Sequence, residues 1–296
     1  MTGPTRHCAN GETAGSGTLY VVATPIGNLE DITLRALRIL KEVRYIACED
    51  TRHTRKLLTH FQISTPLISY YRGKEAGKSG QIVSYLLEGS DVALVSDAGM
   101  PCIADPGHIL VQKAYESGIR VSPVPGASAL ISAIGMAGLQ AEHFLFSGFL
   151  PSKKNDRLKC LQNLLMEPAL LVFYESPHRL LKSLTDCLAV LGSRPAAICK
   201  ELTKIYESCQ RGSLADLVAD LKNVPRIKGE YVILIEGSKA DQPPANDNIE
   251  ELLAWYRDTG RSLKDSVQRI ASDLGLPRSK VYAKALLAWR EGDCEK

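Results

Sequence analysis

Residues 94–107 read LVSDAGMPCIADPG. A short apolar run ends in Ser96-Asp97, and small residues and prolines then alternate up to a second aspartate, Asp105. Glycines at the end of a strand commonly cradle phosphate through exposed backbone N–H groups and a nearby lysine. This stretch holds no lysine or arginine, and its two carboxylates repel phosphate. Asp97 at a strand end suits a ribose hydroxyl or a positive charge. Gly99 and Gly107 permit close backbone approach, and Pro101 and Pro106 stiffen the turn. A ligand with a nucleoside and a cation, but no phosphate, fits that chemistry. The plain alternative is an Asx-type turn punctuating a strand–helix joint.

The same strand–loop–helix grammar extends in both directions. TLYVVA (18–23) is a β-rich run ending in Thr24-Pro25-Ile26-Gly27-Asn28, and LEDITLRALRILKEV (29–43) follows at helical spacing with Asn28 or Asp31 as cap. YIA (45–47) precedes EDTRHT (49–54), and a helix is expected from about His108 to Ser117. IRVSPV (119–124) leads through Pro125-Gly126 into a small-residue helix, 127–138, with Ser128 at its start. Repetition of this kind implies right-handed βαβ units and a mainly parallel sheet, with ligands at the carboxyl ends of the strands. After about residue 139 the pattern restarts. It contains a basic helix start, PSKKNDRLK (151–159), a strand, ALLVFYES (169–176), and a helix over 177–192. A strand running into a polar loop (196–207) and a final strand, KGEYVILIEG (228–237), complete it.

The expected organisation is therefore α/β: a flexible tail (1–17), an N-terminal α/β domain (18–138), a second, mixed-sheet α/β domain (139–238), a linker (239–248) and a helical segment (249–296). Within the last, 263–289 reads as two helices around a tight turn, resembling a helix-turn-helix or a plain helical hairpin. Val267, Ile270, Ala271 and Leu274 form one apolar stripe, and Val281, Ala285, Leu286 and Trp289 the other. Residues 257–290 carry eight Lys/Arg against three Asp, a net charge of +5.

The whole chain of 296 residues carries only +3, so attraction to nucleic acid must come from local patches. No run approaches the roughly 18 apolar residues of a membrane span, and residues 1–17 lack the apolar segment of a secretory signal. The eight cysteines are scattered without zinc-ligand spacing, which reads as free thiols in a reducing cytoplasm and no metal.

Polar clusters at strand ends supply the remaining candidates. EDTRHT, FYESPHR (173–179) and KELTK (200–204) are richer than a cap or a solvated turn requires, and several such clusters on one sheet edge favour a site. Asp50, Glu175 and Glu201 are candidates for base or orienter, and Arg52, Arg179 and Lys204 for electrostatic or phosphate contacts.

Taken together, TPIGNLEDITLRAL, EDTRHT, LVSDAG-x-P-x-I-x-DPG, PG-x-x-A, GFLP, FYES-x-HR, KELTK and KGE resemble the ribosomal RNA small subunit methyltransferase I family, within the tetrapyrrole methylase superfamily. The resemblance runs from about Gly17 to Glu291. It implies a two-domain fold, a homodimer in the cytoplasm, S-adenosyl-L-methionine between the domains, and 2′-O-methylation of a cytidine in 16S rRNA of the small ribosomal subunit. It would place Pro25, Gly27, Asp97, Ala98, Gly99, Pro101, Ala127, Ser128, Gly229 and Glu230 at the cofactor. This chain departs from the family pattern at Met100, where threonine is usual, and at Tyr71-Arg72-Gly73-Lys74-Glu75, where many members have a histidine-rich segment. There Arg72 and Lys74 are expected to meet RNA phosphates, as are Lys153, Lys154, Arg157, Lys159 and the 257–290 segment. Two alternatives share parts of this pattern: a tetrapyrrole C-methyltransferase and a non-catalytic ribosome-assembly protein.

Overall fold

The computed structural model describes residues 15–238, 248–258 and 262–292. The expected tail is thus described only from Gly15 onward. Residues 239–247 of the expected linker and the side chain of Trp289 lie outside the described residues.

Two five-stranded sheets form one compact unit from the described residues within 1–162 and 170–236. The first runs β1 (Thr18–Val22), α1 (Leu34–Glu42), β2 (Tyr45–Cys48), α2 (Thr51–His60), β3 (Leu67–Ser69), α3 (Glu75–Leu87), β4 (Val92–Val95), α4 (His108–Glu116), β5 (Arg120–Val124) and α5 (Ala129–Ala137). Its strand order is β3-β2-β4-β1-β5, and every pairing is parallel. All four residues of β4 are buried, as a strand covered on both faces requires. Ile39 and Leu40 of α1 and Leu58 of α2 fill one face of the sheet; Ile82 and Leu86 of α3 and Leu110 and Ala114 of α4 fill the other. After β1 the chain leaves toward β2, and after β4 toward β5, so a crevice opens where these two exits diverge.

The second sheet contains β6 (Phe144–Phe149), β7 (Leu170–Glu175), β8 (Pro195–Lys200), β9 (Ser208–Ser213) and β10 (Tyr231–Ile235), in the order β6-β7-β10-β8-β9. Only the β6–β7 pairing is parallel. Because β10 runs antiparallel between β7 and β8, Tyr231 at its start pairs with Glu175 and Lys200 at their ends. One edge of this sheet thereby gathers three polar strand ends. Helices α6 (Lys154–Asn163), α7 (Leu180–Leu191) and α8 (Leu214–Lys222) accompany it. Leu130, Ala133 and Ala137 of α5 pack on its residues Val172, Ala197, Val232 and Leu234, joining the two sheets through a common core.

The described residues within 163–169 and 237–296 form a second compact unit. Its described core comes from α9 (Ile249–Asp258), α10 (Leu263–Asp273) and α11 (Arg278–Gly292), with Leu253, Tyr256, Val267, Ile270, Val281 and Ala285 buried together. Leu286, expected in the stripe, is instead 41% exposed.

The single helix expected over 29–43 is two pieces. Asn28 accepts from Glu30 N and caps a short 3-10 turn, Leu29–Asp31; Thr33 accepts from Ala36 N and caps α1. Asp31 caps neither. Among the described residues no helix is long and apolar enough to cross a membrane.

Candidate active site

The loops after β1, β2, β4, β7 and β8 converge with the start of β10 around a cavity of about 440 Å³, a volume suited to a small molecule. Five carboxylates line it, from Glu49, Asp97, Asp105, Glu175 and Glu230, and no lysine, arginine or histidine does. Ile26, Phe149, Tyr174, Leu202 and Val232 supply apolar wall.

The acidic loop is tied down from two sides. Thr24 and Gly99 exchange backbone hydrogen bonds of 3.0 Å each way, Thr24 Oγ1 donates to the Ser96 carbonyl at 3.1 Å, and Ser96 Oγ donates to the Gly99 carbonyl at 3.1 Å. Gly99 sits at φ +84°, and Gly107 at φ +144°, where a Cβ would lie 2.6 Å from Cys102 Sγ. Between them Cys102 and Ala104 hold φ of 70° and 67°, a costly conformation for residues with side chains. The other tie is the segment 71–75. Arg72 Nη2 donates to the Ala104 carbonyl at 3.0 Å, and the buried Glu75 accepts from Gly107 N at 3.0 Å. Arg72 is therefore engaged with the loop itself, in addition to any role toward RNA.

KELTK forms a second strained turn, with Glu201 at φ 50° and Thr203 at φ 65°. Glu201 Oε1 accepts from Glu230 N at 2.9 Å and from Lys204 Nζ at 3.0 Å, while Lys204 Nζ also reaches Glu230 Oε2 at 2.9 Å. A Cβ at Gly27 would lie 2.4 Å from Lys204 Cγ, and one at Gly229 would lie 2.8 Å from Glu201 Cγ. The TPIGN and KGE loops thus need these glycines for contact with KELTK; neither residue lines the cavity.

The carboxylates divide by surroundings. Asp50 caps α2 and is gripped by Arg52, with Nη2 to Oδ2 at 2.8 Å and Nε to Oδ1 at 3.1 Å, and these bonds hold its carboxyl far below the ordinary range. Glu175 accepts from Ser176 N at 2.8 Å, Arg179 Nε at 2.9 Å and Ser183 Oγ at 2.5 Å, so both of its oxygens are occupied. Glu201 is raised by burial, but the bonds from Glu230 N and Lys204 outweigh this and hold it low. Asp105 behaves oppositely: burial first, then the neighbouring Glu49 charge, pushes it up to about 6, against a bond from Ser96 and the charge of Arg72. Glu49 is raised as well, by burial and by the Asp97 charge.

Of the sequence candidates, Asp97, Ala98, Gly99, Ser128, Glu175 and Glu230 line the cavity. Pro25, Gly27, Pro101, Ala127 and Gly229 stand in the surrounding loops, and Asp50, Arg52, Glu201 and Lys204 stand outside the lining. Asp50 is nonetheless adjacent, since its N–H donates to Asp97 Oδ1 at 3.2 Å. Ser128 caps α5, accepting from Ile131 N at 3.5 Å. Arg157 leaves the expected RNA patch altogether. It is 4% exposed, donates through Nε to Asp186 Oδ2 at 2.8 Å, and binds the Pro151 and Ser152 carbonyls. Glu49, Asp105, Phe149 and Tyr174 lie in stretches that the sequence singled out, but none of the four was given an individual role there. The available signal was the second aspartate of the opening loop, Asp105, placed like Asp97 among glycines and prolines.

The donor set fits S-adenosylmethionine. A lining of carboxylates with no cation of its own, and with only Glu175 and Glu230 paired to cations behind it among the described residues, suits a sulfonium and an ammonium, and the apolar walls suit an adenine ring. Among the described residues no group of three or more His, Cys, Asp or Glu is placed to hold a metal ion.

Residues 18–218 match the model of the tetrapyrrole (corrin/porphyrin) methylases. The chain is 48% identical to the ribosomal RNA small subunit methyltransferase I of Pseudomonas aeruginosa, over 92% of this chain and 97% of that one. It is 45% identical to the protein of the same name from Halalkalibacterium halodurans, over 90% and 93%. Among solved structures, the uroporphyrin-III C-methyltransferase of Thermus thermophilus in complex with S-adenosylhomocysteine superposes with a TM-score of 0.53. It is 22% identical and covers 74% of this chain and 98% of that one.

Proposed function

The chain belongs to the tetrapyrrole (corrin/porphyrin) methylase family and, within it, to the ribosomal RNA small subunit methyltransferase I group, and we propose on that premise that it methylates the 2′-hydroxyl of a cytidine in 16S rRNA of the small ribosomal subunit. The observation that carries this assignment is the cavity of five carboxylates without a cation, at the strand ends of both sheets. When bound there, S-adenosylmethionine supplies an electrophilic methyl group on a positively charged sulfur.

Asp97 lines the cavity from the first sheet and offsets the ligand's charge, while Glu230, already paired with Lys204, lines it from the second; Ala98, Gly99 and Ser128 offer close backbone approach. The apolar walls exclude water, which strengthens those electrostatic contacts. A ribose hydroxyl is a weak nucleophile and must lose its proton during transfer. Asp50, Glu175 and Glu201 have their oxygens committed to Arg52, to Arg179 with Ser183, and to Lys204. Asp105 lines the cavity with a carboxyl raised to about 6, which keeps it ionised at neutral pH yet basic enough to take the proton. Glu49 beside it raises that basicity through its charge.

The C-terminal helical unit is assigned to docking on the ribosomal particle, supported by the +5 charge of residues 257–290. The protein is assigned as a cytoplasmic homodimer, supported by exposed apolar side chains such as Leu34 (86%), Ile131 (57%) and Ile205 (94%). Incubation with methyl-labelled S-adenosylmethionine and either small ribosomal subunits or a porphyrinogen tests the assignment. Label on the 2′-oxygen of an rRNA cytidine is expected. Label on the porphyrinogen alone overturns it.

A further inference from the structure

Helix α2 carries its charge in an unusual way. Its ten residues, TRHTRKLLTH, contain two arginines, a lysine and two histidines and no acid. Thr54 and Leu58 are buried, so the opposite side faces solvent, where Thr51, Arg52, Arg55, Lys56, Thr59 and His60 border an open groove. Arg52 is bound to Asp50, but Arg55 and Lys56 are exposed and have no ion-pair partner among the described residues. From Arg52 to His60 the face extends about 12 Å, the span of a few nucleotides.

Its position gives this face a meaning. The residue that caps α2, Asp50, donates its backbone N–H to Asp97 of the cavity, so the helix begins at the cavity wall and runs outward from it. The cavity repels phosphate; the face attracts it, and threonine hydroxyls between the cations add neutral hydrogen-bond donors. We propose that the exposed face of α2 is the track that holds the RNA phosphate backbone flanking the acceptor nucleotide, with Arg55 and Lys56 as its principal contacts. This rests on the assignment of rRNA as substrate. It adds the surface that presents that substrate to the cavity.

The test uses full-length protein carrying Arg55→Ala with Lys56→Ala. Both side chains are exposed, and unchanged affinity for S-adenosylhomocysteine reports that the cavity is intact. Association is measured with purified small ribosomal subunits and with 16S RNA stripped of protein, from about 50 to 200 mM salt. Loss of two single-strand phosphate contacts lowers the slope of log affinity against log salt by about 1.4, so the variant loses about sevenfold less affinity than wild type across that range. An unchanged slope on both probes overturns the proposal. A change on whole subunits but not on stripped RNA also overturns it, because the face then meets a ribosomal protein. Wild-type methyl transfer to subunits is measured alongside. Its absence removes rRNA as substrate and the proposal with it, whereas transfer with an unchanged slope removes the proposal alone.

Discussion

The cavity and the outer face of α2 are joined by one hydrogen bond, Asp50 N to Asp97 Oδ1, yet their charges are opposite. The cavity lining has five carboxylates and no cation; α2 has three permanent cations and no acid. On the proposed reading, one end of a sheet serves two ligands of opposite sign. A cationic small molecule is drawn inside, and a polyanion is held outside, so that only the uncharged ribose enters. Substitutions that invert or isolate one side of this arrangement test it.

The largest effect is expected at Asp105. Asp105→Asn keeps the shape and removes the proton acceptor, which should lower single-turnover rate by about 10²–10⁴-fold, with S-adenosylhomocysteine affinity by calorimetry nearly unchanged. In the wild type the carboxylate form is the active one, so the rate should fall as pH drops through about 6. Stability moves the other way. A folded-state value raised above the unfolded one means that folding favours the protonated form, so a stabilising contribution present below about pH 4 is lost as pH rises through about 6. The neutral amide escapes that loss. Discounted for the exposed half of the side chain, the variant should gain of order 1 kcal/mol at pH 7 and nothing at pH 4. Equal stability at both pH values, or an unchanged rate, breaks the assignment.

Next comes a cation that only looks like part of the basic surface. Arg157 and Asp186 have side chains 5% and 10% exposed and lie 2.6 Å apart. Arg157→Ala leaves Asp186 buried without its partner and should cost about 3–5 kcal/mol in denaturant unfolding. RNA salt dependence should not change. The exposed neighbours Lys153 and Lys154, replaced by alanine, should show the reverse pattern with little loss of stability.

How far all this was legible in the sequence depends on how far apart the causes lie along the chain. The β-rich runs at 18–23, 92–96 and 228–237 announced strands because burial on both faces leaves an unbroken apolar signature. Strand β9, SCQRGS, did not: it is a polar edge strand, held by pairing with β8 and not by its own pattern. Helix α3, EAGKSGQIVSYLL, was hidden by two glycines in its first two turns, although Ser79, Ile82, Val83 and Leu86 are buried. The same limit applies at the site. Asp97 was visible because a carboxylate among strand-end glycines is locally odd. Asp105 was visible only as a second aspartate; its altered basicity was not, because that comes from burial and from Glu49, Ser96 and Arg72, which stand on three loops. Gly27 and Gly229 were visible as glycines but not as packing partners of KELTK: the hydrogen bonds that hold those loops join Asn28 to Thr203, 175 positions away, and Glu230 to Lys204, 26 positions away.

A middling effect is expected at Asp97. Asp97→Asn retains an oxygen for Asp50 N and loses the charge. The loss of one charge-assisted contact, about 1.5–3 kcal/mol, should raise the dissociation constant for S-adenosylhomocysteine by about 10- to 150-fold. Association with ribosomal subunits should hold, since the α2 face remains. Loss of both together would mean that the two regions act as one.

The smallest effect is expected from the C-terminal helices, despite their formal charge. Several of their cations are spent internally: Arg269 pairs with Asp273 at 3.1 Å, Lys284 with Glu250 at 3.1 Å, and Arg278 donates to Gln268 at 2.7 Å. Ending the chain after Ser238 keeps its 2.6 Å hydrogen bond to the Glu167 carbonyl and so leaves the 163–169 segment anchored. Exposed pairs release few counterions on binding. The truncation should therefore weaken subunit association by less than about tenfold and leave stripped-RNA binding nearly intact, with methyl transfer falling in proportion to occupancy. If the truncated protein instead loses a larger share of its salt slope than the Arg55→Ala, Lys56→Ala variant, the phosphate contacts lie mainly on the helices, and the division of labour between cavity and α2 has to be redrawn.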